Sequence, residues 1–207
     1  MSGYNTSDQE QIQMLKDWWK KYGTTILMGL MVFFVVNFSW QFWQNYQRKY
    51  ANGASLMYTQ MLSLLQMKKM DEVQLLGDHL FKDYSRTSYA SLAGLVLAKE
   101  AVDQQKLDVA LTQLQWVIKH AANNNLKQIA KIRAARILFA DNKNQDALDL
   151  LSKTDDPGYT PAIAELKGDI LLAMGQKEKA AAAYQEALHD SDKLQSPLLK
   201  MKLERLG

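Results

Sequence analysis

Residues 24–43 read TTILMGLMVFFVVNFSWQFW, and this stretch contains no charged side chain. The charge-free interval runs from Tyr22 to Gln47 and is bounded by Lys21 and Arg48. About twenty apolar residues in a helix cover the roughly 30 Å hydrocarbon core of a bilayer. A backbone in hydrocarbon must satisfy its own hydrogen bonds, so the stretch predicts one transmembrane helix at 24–43. The alternative, a buried helix of a soluble core, rarely has a charge-free run of this length.

Aromatic side chains mark both ends of the predicted span. They are Trp18, Trp19 and Tyr22 on one side and Trp40, Trp43 and Tyr46 on the other. Such belts are typical of the level at which a spanning helix meets the lipid headgroups. Asn37 lies inside the span, either as a polar residue tolerated in lipid or as a hydrogen-bonding contact to a partner helix.

The span reads as an uncleaved anchor rather than a signal peptide. Its apolar run exceeds the usual 7–15 residues, and no small-x-small cleavage site follows it. Lysines at 16, 20 and 21 precede the span, whereas Arg48 and Lys49 follow it. This small excess favours a cytoplasmic N-terminus only slightly.

The first 23 residues are predicted to form a tail. Residues 1–9 are polar and are expected to be disordered. Residues 10–22 carry apolar side chains three or four positions apart, which predicts a short amphipathic helix on the membrane surface. The alternative is that this segment simply extends the anchor helix.

Composition excludes several classes of function. The chain of 207 residues carries a formal net charge of +3, and residues 51–207 are nearly neutral with both signs interspersed. A nucleic-acid partner is therefore not expected, because it requires a basic stripe. With no cysteine there is no disulfide, zinc-thiolate site or thiol nucleophile. The three histidines never pair at metal-ligand spacing, and no phosphate-binding glycine motif occurs, so no catalytic residue, metal or cofactor is predicted.

Beyond residue 44 the pattern is helical throughout. Apolar residues recur at helical spacing, without sustained alternation or a hairpin turn. The predicted helices are 50–67, 71–84, 88–104, 107–121, 125–141, 144–153, 160–174, 177–190 and 195–205. The fold class is therefore all-α, with residues 44–207 forming one domain behind the anchor.

Three polar breaks in this domain resemble one another. They lie at 103–110, 141–147 and 175–180, and each leads into an alanine that opens an apolar helix: Ala110, Ala147 and Ala180. These alanines are 37 and 33 residues apart, close to the 34-residue period of the tetratricopeptide repeat. The spacing predicts a tetratricopeptide-like solenoid of stacked helix pairs, with 51–87 as a more divergent first pair.

The packing positions of this repeat can be assigned by counting from each alanine. Twelve residues before it a small side chain is expected, four after it a large apolar one, and seven after it a small or apolar one. The assignments are Ala98, Ala135 and Gly168, then Leu114, Leu151 and Tyr184, then Val117, Thr154 and Ala187. Small residues let two helices approach closely, and the bulky residue fills the remaining gap.

Several further segments together resemble the YfgM family, ancillary subunits of the SecYEG translocon in Gram-negative bacteria. They are WWKKYG at 18–23, WQFW at 40–43, SYASLA at 88–93, ALTQLQ at 110–115, IRAAR at 132–136, GDILLAMG at 168–175 and LKMKL at 199–203.

The resemblance implies a single-pass protein of the bacterial inner membrane with a cytoplasmic N-terminus and a periplasmic tetratricopeptide-like domain. It implies association with the SecYEG translocon and with the periplasmic chaperone PpiD, and assistance to translocating client polypeptides. No catalytic residue is carried over from the family.

A non-enzymatic, membrane-tethered interaction module is the function we expect. In tetratricopeptide geometry the first helix of each pair lines a partner-binding groove. By register the candidate residues are Lys99, Val102, Ile132, Arg136, Phe139, Glu165, Asp169 and Leu172. The alternatives are a scaffold of another envelope assembly, such as cell division or transport, and an enzyme with an unrecognised site.

Overall fold

A computed structural model of the chain describes residues 5–152, 156–190 and 197–206. Within these residues there is no β-strand, and the ordered elements are helices. Their bounds are α1 Asn5–Gln66, α2 Met70–Asp83, α3 Ser88–Asp103, α4 Leu107–His120, α5 Asn124–Ala140, α6 Asn144–Leu151, α7 Thr160–Ala173, α8 Lys177–Asp190 and α9 Pro197–Glu204, with a short 3-10 helix at Pro157–Tyr159 before α7. The prediction of an all-α fold is confirmed.

The prediction of a separate amphipathic helix before the anchor is wrong, because α1 continues without a break from Asn5 to Gln66. Residues 5–9, expected to be disordered, belong to this helix. No proline interrupts the segment, and ending a helix would leave backbone groups unsatisfied. The alternative of an extended anchor helix therefore describes the structure.

The chain divides into two compact units, 1–50 and 51–207. In the described part of the chain, one helix is long and apolar enough to cross a bilayer, and none of its apolar window is buried within the protein. Asn37 donates its side-chain amide to the Phe33 carbonyl at 3.3 Å, one turn earlier in the helix. This bond supplies a partner for the Asn37 amide without a second helix.

The second unit is a stack of antiparallel helix pairs. The end of α1 and α2 share one apolar cluster and form the first pair. The pairs α3 and α4, α5 and α6, and α7 and α8 follow, with α9 packed against α8. The core consists of four apolar clusters that follow one another along this stack. Each pair therefore buries its apolar face chiefly against its neighbours, as in other repeat proteins.

The turn inside each pair has the same geometry. Lys68, Gln105, Asn142 and Gly175 all have positive φ, between 59° and 76°. Each lies five residues before the repeat alanine or its counterpart Val73, and the next residue donates its amide to a carbonyl five residues back, as Lys106 does to Ala101 at 2.8 Å. This left-handed termination turns the chain back after one helix and fixes the start of the next.

The repeat positions counted from the sequence are buried. The three alanines are fully buried, as are Tyr184, Val117 and Ala187, and Leu114 and Leu151 are 1 % exposed. Ala98, Ala135 and Gly168 are also buried. Thr154 lies outside the described residues. The steric basis of the predicted repeat is therefore present in all three pairs.

Trp116 joins two of the core clusters. Its indole stacks on the Phe81 ring with 4.1 Å between centroids. The His120 imidazole, one turn later in α4, also stacks on the indole, with 4.8 Å between centroids. It packs against the clusters of both the first and the second pair. Trp116 is therefore a packing side chain between the first and second helix pairs.

Candidate functional site

The first helices of successive pairs lie side by side. α3 contacts α5, and α5 contacts α7, although each of these helices is separated from the next by a second helix in sequence. Side-chain caps fix where two of these helices begin: the Thr87 hydroxyl accepts from the Ala90 amide, and the Asn123 side chain accepts from the Leu126 amide. We call the surface they form the α3–α5–α7 face.

A cavity of about 290 Å³ opens between α3 and α5, and we call it the α3–α5 slot. Its wall is apolar and its rim is cationic. The wall is formed by Ala98, Val102, Leu114 and Ile137, and the rim by Lys99, Arg133 and Arg136. A slot of this size lies at the lower end of the range for small-molecule pockets and accommodates one or two side chains of a partner.

The three rim cations differ in their partners. The Lys99 ammonium lies 2.6 Å from Asp103 and 3.5 Å from Glu100, and its hydrogen bond to Asp103 raises the pKa of Lys99. Neither Arg133 nor Arg136 forms an ion pair with an acidic side chain within the residues that the structure describes. The positive charge available to a partner at this slot therefore comes from the two guanidinium groups.

On α7, the predicted residues Glu165 and Asp169 contact the chain's own last helix. Lys202 of α9 donates to Glu165 at 2.8 Å and to Asp169 at 2.7 Å. The Tyr184 hydroxyl of α8 donates to the same Asp169 carboxylate at 2.7 Å. Four side chains from three helices thus form one polar cluster, which fixes α9 against the last helix pair.

Burial and hydrogen bonding shift two pKa values in this cluster. Burial raises the pKa of Tyr184, and its bond to the Asp169 carboxylate raises it further, because both disfavour the phenolate. Burial alone would lower the pKa of Lys202, but its bonds to Asp169 and Glu165 outweigh that effect, and the pKa is raised. At neutral pH the cluster therefore contains a neutral phenol and a charged ammonium.

The remaining predicted groove residues belong to the packing of the repeats. Ile132 is 7 % exposed and lies in the core cluster shared by α5, α6 and α7, and Phe139 is half-buried against the same cluster. Leu172 is half-buried against the cluster of the last pair. Ile132 therefore offers a partner almost no surface in this conformation.

Of the eight predicted residues, the structure brings Lys99, Val102 and Arg136 together in one slot. Glu165 and Asp169 lie on α7, where both form ion pairs with Lys202 of α9. Sequence reasoning missed Arg133, although it lies three residues before Arg136 and therefore on the same side of α5. The partner role of each of these residues stays a prediction.

In the described ranges, no three side chains among His, Cys, Asp and Glu are grouped so that they could hold a metal ion. His79 contacts Asp83 at 3.3 Å, and His120 contacts the Trp116 carbonyl at 3.0 Å, each within its own helix. These contacts stabilise single helices, and they do not build a shared site.

Comparison with known proteins covers almost the whole chain. Residues 16–207 match the family described as tetratricopeptide repeat-like domain. A protein of Haemophilus influenzae named ancillary SecYEG translocon subunit is 27% identical over 203 residues, covering 98% of this chain and 99% of its own. Proteins of the same name from Escherichia coli and Neisseria gonorrhoeae are 26% and 25% identical over 202 residues, covering 97% and 96% of this chain and 97% of each relative.

The resemblance inferred from the sequence segments is therefore confirmed at full length. The repeat spacing, the repeated left-handed turns and the buried small–large positions supply its physical basis. The chain belongs to the tetratricopeptide repeat-like domain family.

Proposed function

We propose that the protein is a non-enzymatic, membrane-tethered interaction module that associates with the SecYEG translocon and assists periplasmic chaperones with newly translocated proteins. The observation that carries this proposal is the full-length similarity to proteins named ancillary SecYEG translocon subunit, because it includes both the apolar helix and every repeat. A scaffold of another envelope assembly remains the alternative that the experiment must separate.

The exposed apolar helix supports the membrane-anchored part of the proposal. Its apolar window has no surface buried within the protein, so lipid or another membrane protein has to cover it. A tether of this kind raises the effective concentration of the repeat unit at the membrane, so a weak partner-binding face suffices.

The proposed orientation places the N-terminus in the cytoplasm and residues 44–207 in the periplasm. The main support for this orientation is the full-length resemblance. The basic residues beside the span, three before it and two after it, favour the orientation only slightly. The proposed partners are the translocon, the chaperone PpiD and translocating client polypeptides, with the bilayer contacting residues 24–43.

Affinity purification in mild detergent tests the association. The tagged full chain should recover translocon subunits together with PpiD after crosslinking in cells. The matched control replaces residues 24–43 with an unrelated transmembrane segment, which keeps the anchoring but removes side-chain contacts of the span. Reproducible recovery of a different envelope assembly without translocon subunits would favour the scaffold alternative.

Labelling of single cysteines tests the orientation, since the chain has no native cysteine. Gln13→Cys and Gln115→Cys place a thiol at exposed positions in the two units. In intact spheroplasts, a membrane-impermeant maleimide should label position 115 and leave position 13 unmodified until the cells are lysed. Labelling of position 13 alone would reverse the proposed topology.

A further inference from the structure

Two guanidinium groups on one side of α5 border an apolar slot, and neither has an acidic partner in the part of the chain that the structure describes. Arg133 and Arg136 lie on one side of α5, are both exposed, and line the α3–α5 slot. Among the described residues neither forms an ion pair, whereas the third rim cation, Lys99, is paired with Asp103 and Glu100. The unit as a whole is almost neutral, so these free charges are a local feature.

The chemistry of the slot selects a ligand with two parts. A guanidinium presents a planar fork of donors that matches a carboxylate in bidentate geometry, which an ammonium cannot do. Next to the forks, the half-buried Val102 offers apolar surface above the buried Ile137, and a carboxylate alone would leave that surface uncovered. A ligand that satisfies both parts carries an acidic group directly beside a large apolar group.

We propose that the α3–α5 slot binds an extended polypeptide segment in which an acidic side chain and a large apolar side chain lie two residues apart, and therefore on the same face of the segment. The carboxylate lies between Arg133 and Arg136, and the apolar side chain enters the slot against Val102 and Ile137. This inference rests on the proposed interaction function and specifies the chemistry of the partner for that function.

A lipid surface is the competing anionic partner, and the slot fits it less well. Recognition of anionic membranes uses clusters of four to eight basic residues on an otherwise polar surface. Here two guanidinium groups, unpaired within the described ranges, border a cavity whose wall is apolar. The charge is too small for a membrane patch, whereas it matches one acidic side chain and its neighbour.

Fluorescence anisotropy with the full chain in phosphatidylcholine nanodiscs tests the proposal. The probes are two fluorescein-labelled peptides, SGETFTEGS, whose acidic and aromatic side chains share one face when extended, and its uncharged analogue SGQTFTQGS. The wild-type chain should bind the first about fivefold to twentyfold more tightly than the second, as expected for two partly exposed ion pairs. Because this comparison uses wild-type protein, it does not depend on the folding of any variant.

The substitution Arg133→Gln with Arg136→Gln should reduce binding of the acidic peptide by the same factor and leave binding of the uncharged peptide unchanged. The matched control is Arg86→Gln with Arg205→Gln, which removes the same net charge from exposed arginines that do not line the slot. Val102→Ser should weaken both peptides, since it removes apolar wall and no charge.

Equal affinity for the two peptides, no binding of either, or an equal loss in the control variant would overturn the proposal. Displacement of the acidic peptide by phosphatidylglycerol vesicles, with no effect of phosphatidylcholine vesicles, would assign the arginines to lipid instead. Failure of translocon recovery with the wild-type chain would reject the proposed function while leaving peptide binding intact. Loss of peptide selectivity with translocon recovery intact would reject this inference alone.

Discussion

Gly168 in α7 lies directly against the aromatic ring of Tyr184 in α8, so close that a β-carbon at position 168 would overlap the ring. The equivalent positions of the two preceding pairs hold alanine and leucine, Ala98 with Leu114 and Ala135 with Leu151, and each couple is buried in one apolar cluster. A larger side chain on the second helix is thus matched by a smaller one on the first.

The first pair reverses this order. Met61 takes the position of the small residue and Gly77 that of the large one, and both are buried. A β-carbon at Gly77 would lie 2.5 Å from the Leu97 side chain. The glycine therefore lets α3, the first helix of the next pair, pack closely against α2. The two positions thus hold one larger and one smaller residue, in either order, because close packing limits total volume more than its distribution.

Gly168→Ala should lower the free energy of unfolding of the repeat unit by about 1–2 kcal/mol. Overpacking costs about 1–3 kcal/mol, and the better helix propensity of alanine offsets about 0.5–1 kcal/mol. Denaturant unfolding followed by circular dichroism measures the change. In the Tyr184→Leu background the same substitution should cost much less, since it recreates the alanine–leucine pair of the other repeats. Equal costs in both backgrounds would show that the ring does not set the contact.

Gln105→Gly should stabilise the repeat unit by about 0.5–1 kcal/mol. Gln105 has φ 62°, a conformation that costs a residue with a β-carbon about 1–2 kcal/mol, partly offset by the greater entropy of glycine in the unfolded chain. Thermal unfolding provides the measurement. Its neighbour Gln104, at φ −90°, is the control, and Gln104→Gly should give no gain. The reverse change, Gly175→Ala, should destabilise, because Gly175 has φ 76°.

Lys202→Gln should loosen α9 from the last helix pair. It removes the ion pairs to Glu165 and Asp169 and leaves both carboxylates facing Tyr184 without a cation. Hydrogen exchange measured by mass spectrometry should accelerate in peptides covering 197–204 while α3 and α4 stay protected. Lys200→Gln, an equal loss of charge at an exposed position on the same helix, should leave the exchange unchanged.

Alkaline pH should destabilise the same region. The folded-state pKa values of Tyr184 and Lys202 are both raised above their ordinary values of 10.0 and 10.5. The stability they contribute is therefore fully present below about pH 10 and is lost as the pH rises through the folded-state values. The unfolding midpoint should therefore stay constant up to about pH 10 and fall as the pH rises above it.

Tyr184→Phe separates the two groups in that titration. It removes the phenol, so the midpoint of this variant should fall less steeply with pH than that of the wild type. A variant whose pH profile is parallel to the wild-type profile would assign the alkaline loss to groups other than Tyr184. The comparison uses slopes, because the lost bond to Asp169 lowers stability at every pH.

The candidate site shows where local reasoning stops. Lys99, Val102 and Arg136 could be placed on one face from helical register, and Arg133 follows from its position three residues before Arg136. The ion pairs that Glu165 and Asp169 form with Lys202 could not be predicted from helical register. Their partner Lys202 lies 37 and 33 residues away in sequence, and no local pattern identifies a contact between helices so far apart.

The sequence by itself determined the apolar span, the helix bounds to within a few residues and the repeat period, since each depends on spacing along one chain. Tertiary structure alone decided that Ile132 is core, that α9 uses the acidic residues of α7, and that two arginines with no acidic partner among the described residues border an apolar slot. The physical reason is that helical periodicity is a local property, whereas ion pairing and burial depend on which helices pack together.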